Sequence, residues 1–242
     1  MLELLACSRV RRAVIAALLT GSKNIADLAE TSGSSRPNTI HLIEPLLKAR
    51  MVARDGNRYA LTPIGRANAV VLQEAIDGIE VLQSDFWKTH DLGSIPDHLM
   101  ARIGALARGQ VICPNGDLLK AQHNFVDVVS SAKEIYGVSS VFFLDWPAMI
   151  LAAYAAGATI HLILAPEIQA KLPETLSVLG QVSPQMEIIY KPCQAAFTVA
   201  DNVLSIGLFA LGGGYDPLQD FICEGPKAAT WGRELYDYYL NY

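Results

Sequence analysis

The chain has 242 residues, of which 51% are hydrophobic and 18% are charged, so long disordered stretches are excluded and one or two well-buried domains are indicated. The formal charge of −5 is unevenly distributed, since residues 1–70 hold ten Lys/Arg and five Asp/Glu while residues 71–242 hold nine and nineteen. The sequence therefore predicts a basic domain joined to an acidic one.

The cysteines and apolar stretches favour a cytoplasmic protein over a secreted or membrane protein. Cys7, Cys113, Cys193 and Cys223 are scattered without a close pair, as expected of reduced thiols. The six residues before Cys7 are too few for a lipoprotein signal. Residues 148–165 lack charged side chains other than a histidine, but Gly157 divides this run into a helix and a strand of soluble-domain length. We therefore expect no membrane-spanning segment.

Three helices are predicted in the N-terminal third. Ser8 is expected to cap the first helix and Gly21 to close it. The second helix begins near Ile25 and ends at Gly33, and Ser35 caps the third. A short Gly-containing turn between two helices is typical of a helix-turn-helix.

The third helix carries candidate DNA-reading residues in its first two turns. Arg36, Asn38 and His41 lie opposite its predicted core face, and Arg and Asn can make bidentate contacts to base edges. The helix dipole favours a phosphate near Ser35 and Arg36. Pro45 is expected to kink the second half of the helix. Such a polar face alone is more often solvated surface than a DNA reader.

A β-hairpin predicted at residues 52–61 favours the DNA-reading interpretation of the third helix. Asp55-Gly56 is expected at its turn, with Arg54 and Arg58 flanking the turn on the two arms. These arginines are placed to contact phosphates. Three helices followed by a basic hairpin favour binding to double-stranded DNA over a winged helix used only for protein contact.

Several segments resemble the winged-helix module of archaeal and bacterial transcription regulators of the broad ArsR/MarR-like class. These segments are residues 25–29, 35–39, 46–52 and 58–65. Arg50 stands where that class usually has Gly, so the end of the third helix is expected to turn less tightly.

A narrower resemblance comes from the rest of the chain. Residues 86–99 (FWKTHDLGSIPDHL) and 207–239, ending in WGRELYDYY, resemble archaeal winged-helix regulators related to the methanogenesis regulator FilR. With the winged helix included, the resemblance covers nearly the whole chain. It implies a one-component transcription regulator with a winged-helix head and an effector domain.

A connecting helix is predicted after the hairpin, with Thr62 as its cap and Pro63 at its first position. It carries an apolar stripe with a spacing of three to four residues, comprising Ala69, Leu72, Ile76, Ile79 and Phe86. The stripe either pairs with its copy in a homodimer or packs on the C-terminal domain, and both alternatives stay open. The expected divisions are residues 1–65 for the winged helix, 66–89 for the connecting or dimerisation helix and 90–242 for the effector domain.

The C-terminal domain alternates predicted strands and helices. The strands are Val111–Cys113, Val138–Leu144, Thr159–Leu164 and Met186–Tyr190, with helices starting at Asp117, Trp146 and Glu167. A hairpin of Phe197–Ala200 and Val203–Phe209 follows, and then a helix from Pro226 to about Leu240. This alternation predicts an α/β layered domain with a mostly parallel sheet. The order of its elements is similar to that of phospholipase-D-like domains.

Neither a catalytic motif nor a cofactor motif is recognisable in this domain. The sequence has no G-x-S-x-G, P-loop or G-x-G-x-x-G, and His161 lacks the lysine two residues later that phospholipase-D-like chemistry requires. A regulator that is not an enzyme and uses no cofactor is therefore expected. An enzyme or a protein-interaction module fused to a winged helix is the alternative.

A small-molecule effector of unknown identity is the preferred ligand of this domain. Ligands of open α/β sheets bind beyond the carboxyl ends of the strands, which predicts a site formed by Asp145, Trp146, Glu167 and Lys191. A metal sensor is a further alternative, with Cys113, Cys193, Cys223, His123 and His161 as candidate ligands. Their wide spacing favours buried thiols instead.

Overall fold

The computed structural model describes residues 8–113 and 125–242, apart from residue 127. The chain folds into two compact units, Met1–Ile76 and Asp77–Tyr242. His123 and the predicted helix start at Asp117 lie outside the described residues. Within the described residues, no helix is both long and apolar enough to cross a membrane.

The first unit has the arrangement of a winged helix. Its helices are α1 (Arg9–Leu19), α2 (Ile25–Ser32) and α3 (Arg36–Lys48), and its strands are β1 (Lys23–Asn24), β2 (Val52–Asp55) and β3 (Arg58–Leu61). The strands form an antiparallel sheet in the order β1-β3-β2. The core between the helices and the sheet is apolar, and its best-buried members include Leu18, Leu28, Ile43, Leu46 and Met51.

The predicted helix ends of this unit are confirmed. The Ser8 side chain accepts a hydrogen bond from the backbone N–H of Arg11 at 3.3 Å. Asn24 and Asp27 form a reciprocal capping box at the start of α2. Gly33 ends α2 in the left-handed conformation with φ of 63°. The short connection to α3 is therefore built from local hydrogen bonds and one glycine.

The prediction of a loose end for α3 is wrong. Arg50 adopts a left-handed backbone with φ of 57°. Its N–H donates to Leu47 O at 3.0 Å, and the N–H of Met51 donates to Leu46 O at 2.9 Å, which closes the helix as a Schellman turn. This conformation costs an L-residue about 1–2 kcal/mol, so the burial of Met51 overrides the missing glycine. The helix continues through Pro45, and its predicted kink stays a prediction.

Helix α4 spans Pro63–Leu82, and Thr62 Oγ1 accepts the Gly65 N–H at 3.0 Å. The boundary between the two units falls inside this helix, after Ile76. Exposure differs along the predicted apolar stripe, because Ala69 is buried whereas Ile79 is 60% exposed, and the role of the stripe stays a prediction. The helix also ends before Phe86, which is buried in the next helix.

The second unit is built around a seven-stranded sheet in the order β4-β10-β9-β8-β5-β6-β7. The strands are β4 (Gln110–Ile112), β5 (Glu134–Ser139), β6 (Thr159–Leu164), β7 (Met186–Tyr190), β8 (Ala196–Ala200), β9 (Val203–Gly207) and β10 (Asp220–Glu224). The helices are α5 (Asp85–Thr89), α6 (Asp97–Met100), a 3-10 turn (Ile103–Leu106), α7 (Trp146–Ala155), α8 (Pro166–Gln169), α9 (Glu174–Val182) and α10 (Pro226–Asn241).

The prediction of a mixed α/β fold is confirmed, but the prediction of a mostly parallel sheet is wrong. Among the described strands, β5 pairs parallel with β6 and β6 with β7, whereas the other four pairings are antiparallel. The two-residue turn at Asp201-Asn202 forces β8 and β9 to run antiparallel. Strand β10 was not predicted, and β5 lies at Glu134–Ser139 instead of the predicted Val138–Leu144.

The two faces of this sheet have different coverings. One face packs against α5, α6 and α10 through a large cluster centred on Trp231, whose indole N–H donates to Leu99 O at 2.9 Å. The other face packs against α7 and α9 through a cluster that includes Ile160 and Leu176. Where this second face continues along β5, β8, β9 and β10, its side chains become small or polar: Gly137, Ser139, Thr198, Ser205 and Asp220. Space for a cavity is left there.

Candidate DNA-binding surface and ligand cavity

Helix α3 begins with the expected cap. Ser35 Oγ accepts the Asn38 N–H at 3.4 Å, and Thr39 Oγ1 donates to Ser35 O at 2.9 Å. Ser35, Arg36 and Asn38 are exposed. The first turn of the helix therefore presents backbone amides and a guanidinium to solvent, an arrangement that suits a phosphate.

The exposed face of α3 is centred on His41. Thr39, Leu42, Ile43 and Leu46 are buried on the opposite side. At about 100° per residue, Arg36 and Asn38 fall on opposite flanks of the exposed face and His41 falls near its middle. Ile40, which is 44% exposed, and exposed Glu44 share this face and were not predicted.

The side chain of Asn38 has a local partner. Its amide Nδ2 donates to Ser34 Oγ at 2.7 Å, which ties the amide to the residue before the helix cap. Base contact by Asn38 would require this hydrogen bond to be exchanged. On the exposed face, Asn38 is thus already engaged in a local hydrogen bond.

The hairpin turn differs by one residue from the prediction. Asp55 pairs with Arg58 as the last rung of the ladder, so the two turn residues are Gly56 and Asn57 instead of Asp55 and Gly56. Gly56 has φ of 57°, which only glycine adopts without strain at the first turn position. The wing is therefore a tight two-residue hairpin.

Arg54 and Arg58 leave the wing from opposite faces. Arg54 pairs across the strands with Tyr59, and Arg58 pairs with Asp55. Successive pairs in a ladder alternate between the two faces, so the symmetric placement of the arginines around the turn does not bring them to one surface. The sequence alone did not reveal this division.

Both wing arginines are exposed yet held by hydrogen bonds. Arg54 Nε donates to Gly56 O at 2.8 Å, and its guanidinium lies 5.6 Å from the Tyr59 ring centroid. Arg58 Nε donates to Ser22 Oγ at 2.9 Å, and a terminal nitrogen of its guanidinium donates to Ser22 O at 2.5 Å. Side chains ordered in advance lose less conformational freedom on binding a ligand.

The second unit contains a cavity of about 350 Å³. Strands β5, β8, β9 and β10 form its floor, and residues from the 141–146 and 215–219 segments form its walls. Its apolar lining includes the aromatic residues Phe125, Phe143, Trp146 and Phe197 as well as Met149. Its polar lining comprises Ser139, Asp145, Thr198, Ser205, Tyr215, Gln219 and Asp220. A largely apolar space with a few polar groups is typical of a small-molecule site.

Asp220 is a buried acidic group on the floor of the cavity. Its carboxyl is buried and accepts a hydrogen bond from Ser205 Oγ at 2.6 Å. Removal from water raises the pKa of Asp220 to about 7, against the smaller opposing effect of the Ser205 hydrogen bond. Burial, followed by the nearby carboxylates of Asp220 and Asp216, raises the pKa of Tyr215 as well. The floor of the cavity thus holds a carboxyl whose neutral form is favoured by burial.

Tyr215 lies over the sheet because β9 ends in a glycine. A Cβ atom at Gly207 would overlap the Tyr215 hydroxyl. The segment that carries Tyr215 is fastened to the end of α5, since Asp91 N–H donates to Phe209 O at 2.7 Å and His90 Nε2 lies 3.3 Å from Asp216 Oδ2. One wall of the cavity is therefore attached to the residues that follow α5.

The four predicted effector residues fall into two groups. Asp145 and Trp146 line the cavity. Glu167 is exposed on α8 and does not line it, and Lys191 Nζ instead donates to Tyr239 O at 3.1 Å and Leu240 O at 2.9 Å. The last carbonyls of a helix lack backbone donors, so Lys191 caps α10.

The physical reason for this split is the mixed sheet. The cavity opens over antiparallel strands and not over the carboxyl ends of β6 and β7. The expectation that ligands bind beyond the carboxyl ends of parallel strands therefore identified only the wall that contains Asp145 and Trp146. Ser205, Tyr215 and Asp220 were missed. Ser205 could have been predicted, because polar residues alternate with apolar ones along the predicted hairpin and therefore share one face of the sheet.

In the part of the chain that the structure describes, no group of three or more His, Cys, Asp or Glu side chains could hold a metal ion. Cys113, Cys193 and Cys223 are free thiols, and His161 Nδ1 lies 3.1 Å from Glu187 Oε2. The remaining candidate, His123, is outside the described residues.

Two family models match the chain. The N-terminal domain of the methanogenesis regulatory protein FilR1 matches residues 1–80, and the middle domain of that protein matches residues 118–242. Both models describe domains of a regulatory protein. The chain belongs to the family of the methanogenesis regulatory protein FilR1, which confirms the resemblance inferred from the sequence.

Individual relatives are more distant. The methanogenesis regulatory protein FilR1 of Methanothrix harundinacea (strain 6Ac) is 23% identical over 251 residues, covering 99% of this chain and 56% of that protein. The chain thus spans about half the length of this curated relative. TrmBL2, described as an archaeal chromatin protein with a novel mode of DNA binding, is 15% identical with a TM-score of 0.47, over 96% of this chain and 92% of its own. NucT from Helicobacter pylori is 12% identical with a TM-score of 0.40, over 55% of this chain and 95% of its own.

Proposed function

We propose that the protein is a one-component transcription regulator whose winged helix binds double-stranded DNA. The observation that carries this proposal is the exposed surface of the basic first unit, where the start of α3 and both faces of the wing present Arg36, Arg54 and Arg58 to solvent. Membership of a regulatory family supports the same function. No catalytic role is part of the proposal.

The roles of the surface residues follow from their positions. Ser35 and Arg36, at the positive end of the α3 dipole, bind a phosphate. His41 enters the major groove at the middle of the exposed face, and Asn38 supports it from the flank after exchanging its Ser34 partner. Arg54 and Arg58 contact backbone phosphates from the two faces of the wing.

The second unit is proposed to bind a small-molecule effector in its cavity. Asp145 and Trp146 would contact the ligand, whereas the structure offers no support for Glu167 and Lys191 in this role. Because a wall of the cavity is hydrogen-bonded to the residues after α5, a ligand that moves Tyr215 would also act on that segment. Coupling is reciprocal, so operator DNA would change effector affinity by the same factor. The division into residues 1–65, 66–89 and 90–242 is part of this proposal.

A homodimer is proposed to form through α4. Ile64 and Val71, one heptad apart on this helix, are 57% and 70% exposed, and the occupant of this face would be α4 of a second copy. Two heads reading two half-sites suit a helix-turn-helix. Val71→Glu is therefore expected to convert a dimer into a monomer in analytical ultracentrifugation, while Val178→Glu, at a 49% exposed valine on α9, leaves the mass unchanged. A monomeric parent protein at micromolar concentration would refute the dimer.

Base reading by α3 is tested by sequence preference. His41→Ala and Asn38→Ala should each lower the affinity ratio between a selected operator and random duplex by about tenfold, because a lost base contact is worth about 1–3 kcal/mol. The operator is first selected from random duplexes, and the ratio is measured by fluorescence anisotropy. Thr31→Ala, exposed on α2, serves as the control. An unchanged ratio in both variants would remove α3 from base readout.

A further inference from the structure

We infer that Ile40 reads the C5-methyl group of a thymine in the major groove of the operator. The inference rests on the proposed DNA-binding function and specifies a base that α3 selects. It follows from the exposure of an apolar side chain on α3, from the chemistry of the neighbouring side chains and from the positive charge of the first unit.

Ile40 is an apolar side chain that the fold leaves in contact with solvent. It is 44% exposed, whereas Thr39, Leu42 and Ile43 beside it are buried. The apolar core of the first unit, as far as the structure describes it, does not include Ile40. A β-branched residue is also a weaker helix former than alanine, so α3 gains nothing from it locally. The stability of the first unit therefore does not explain the presence of isoleucine at this position.

Arg36, Ile40 and Glu44 form one row along the exposed side of α3. They are spaced four residues apart, so each lies one helical turn from the next and is rotated by about 40° around the axis. All three are exposed. Arg36, at the positive end of the helix dipole, suits a phosphate, whereas an apolar side chain does not bind one and the carboxylate of Glu44 repels one. Beyond its first turn, this row therefore suits base edges better than the DNA backbone.

The major groove offers a partner for each of these two chemistries. Thymine presents its C5-methyl group there, while adenine and cytosine present amino groups from which a carboxylate such as Glu44 can accept a hydrogen bond. Ile40 has no polar side-chain atom, so the feature of a base edge that it can distinguish is the methyl group. Contact between the two removes apolar surface of both from water. Thymine is therefore the base that fits Ile40.

The surroundings of Ile40 favour DNA over a protein as its partner. Residues 1–70 hold ten Lys/Arg and five Asp/Glu, and Arg36, Arg54 and Arg58 are exposed, so the unit attracts a polyanion. The centre of a protein interface is instead depleted of charged residues. Ile40 lies between Arg36 and Glu44, which is an unsuitable setting for such a centre and a suitable one for a groove lined by polar base edges.

The test removes a single methyl group from the DNA. An operator is selected from random duplexes with the full chain, and each thymine is then replaced in turn by deoxyuridine, which pairs identically but lacks the C5-methyl group. Fluorescence anisotropy should show one thymine position in each half-site where the replacement weakens binding by about fourfold, as expected for one buried carbon. An operator without a fixed thymine in each half-site, or without a sensitive position, overturns the inference.

Ile40→Ala identifies the side chain that contacts the methyl group. In this variant the same replacement should weaken binding by less than about 1.5-fold, because the partner of the methyl group is already absent. Alanine is a strong helix former and Ile40 lies outside the described core, so α3 should persist. Val178→Ala, at a 49% exposed valine of the second unit, is the matched control and should retain the loss of about fourfold. An undiminished loss in Ile40→Ala would assign the contact to another side chain and overturn the inference.

Failure of this inference is distinguishable from failure of the DNA-binding function. If the parent protein binds its operator with a steep salt dependence but no deoxyuridine position responds, DNA binding is supported and thymine reading is refuted. A parent protein that binds no duplex at about 50 mM salt refutes both. If Ile40→Ala lowers the mass of the protein in analytical ultracentrifugation, Ile40 belongs to a contact between protein chains, and the inference is overturned.

Discussion

The affinity of the protein for duplex DNA is expected to fall roughly a thousandfold between about 50 and about 200 mM salt. Arg36, Arg54 and Arg58 supply three phosphate contacts in each head, so a dimer makes about six. Each neutralised phosphate releases condensed counterions, and salt opposes that release. Fluorescence anisotropy with a random duplex over a salt series measures the slope of log affinity against log salt.

The wing arginines should determine much of this slope. Arg54→Ala and Arg58→Ala should each reduce its magnitude by about one unit per head, with similar losses on all duplex sequences. Arg58→Lys keeps the charge but cannot reproduce both hydrogen bonds to Ser22, so it separates charge from the order of the side chain. Lys171→Ala removes one positive charge from the second unit and should leave the slope unchanged. A flat slope in the parent protein would contradict DNA binding.

Asp220→Asn is expected to stabilise the second unit by up to about 4 kcal/mol at pH 8 and by almost nothing near pH 4. The pKa of Asp220 is raised by burial from 3.8 to about 7, so the folded state holds a proton that the unfolded state loses. Between these two values the folded state binds more protons, and stability therefore falls as pH rises. Below pH 4 both states are protonated and the asparagine has no advantage.

Urea unfolding followed by tryptophan fluorescence measures the stability of the second structural unit, which contains Asp220. Trp87, Trp146 and Trp231 all belong to the second unit, so their signal does not report on the winged helix. Asp237→Asn, at an exposed carboxyl on α10, is the control and should change stability by less than about 0.5 kcal/mol at both pH values. If the difference in the free energy of unfolding between the parent protein and Asp220→Asn did not change with pH, the raised pKa of Asp220 would be refuted.

Local structure in the first unit followed from short-range sequence patterns. The caps at Ser8 and Ser35, the left-handed Gly33 and the antiparallel hairpin were predicted because each depends on residues close to one another in the chain. The errors there were also local. The Schellman turn at Arg50 formed without glycine, since burial of the following Met51 outweighs about 1–2 kcal/mol of backbone strain.

Strand pairing in the second unit could not be predicted with the same certainty. Six-residue strands such as β5 and β6 look alike from the sequence whether their neighbours are parallel or antiparallel, because pairing is chosen by packing across the whole sheet. Strand β10 was missed since Asp220 begins it, and aspartate is depleted in strands. Because the strand pairing and β10 were not predicted correctly, the position of the cavity was not predicted either.

The sequence by itself determined the winged helix, the mixed α/β character of the remainder and the family, because these depend on local periodicity and on motifs that are read along the chain. The tertiary structure alone decided that Arg54 and Arg58 occupy opposite faces, that Lys191 caps a helix and that Ser205, Tyr215 and Asp220 meet in a cavity. Register and topology bring together residues distant in the chain, and only the folded arrangement placed a buried carboxyl among aromatic walls.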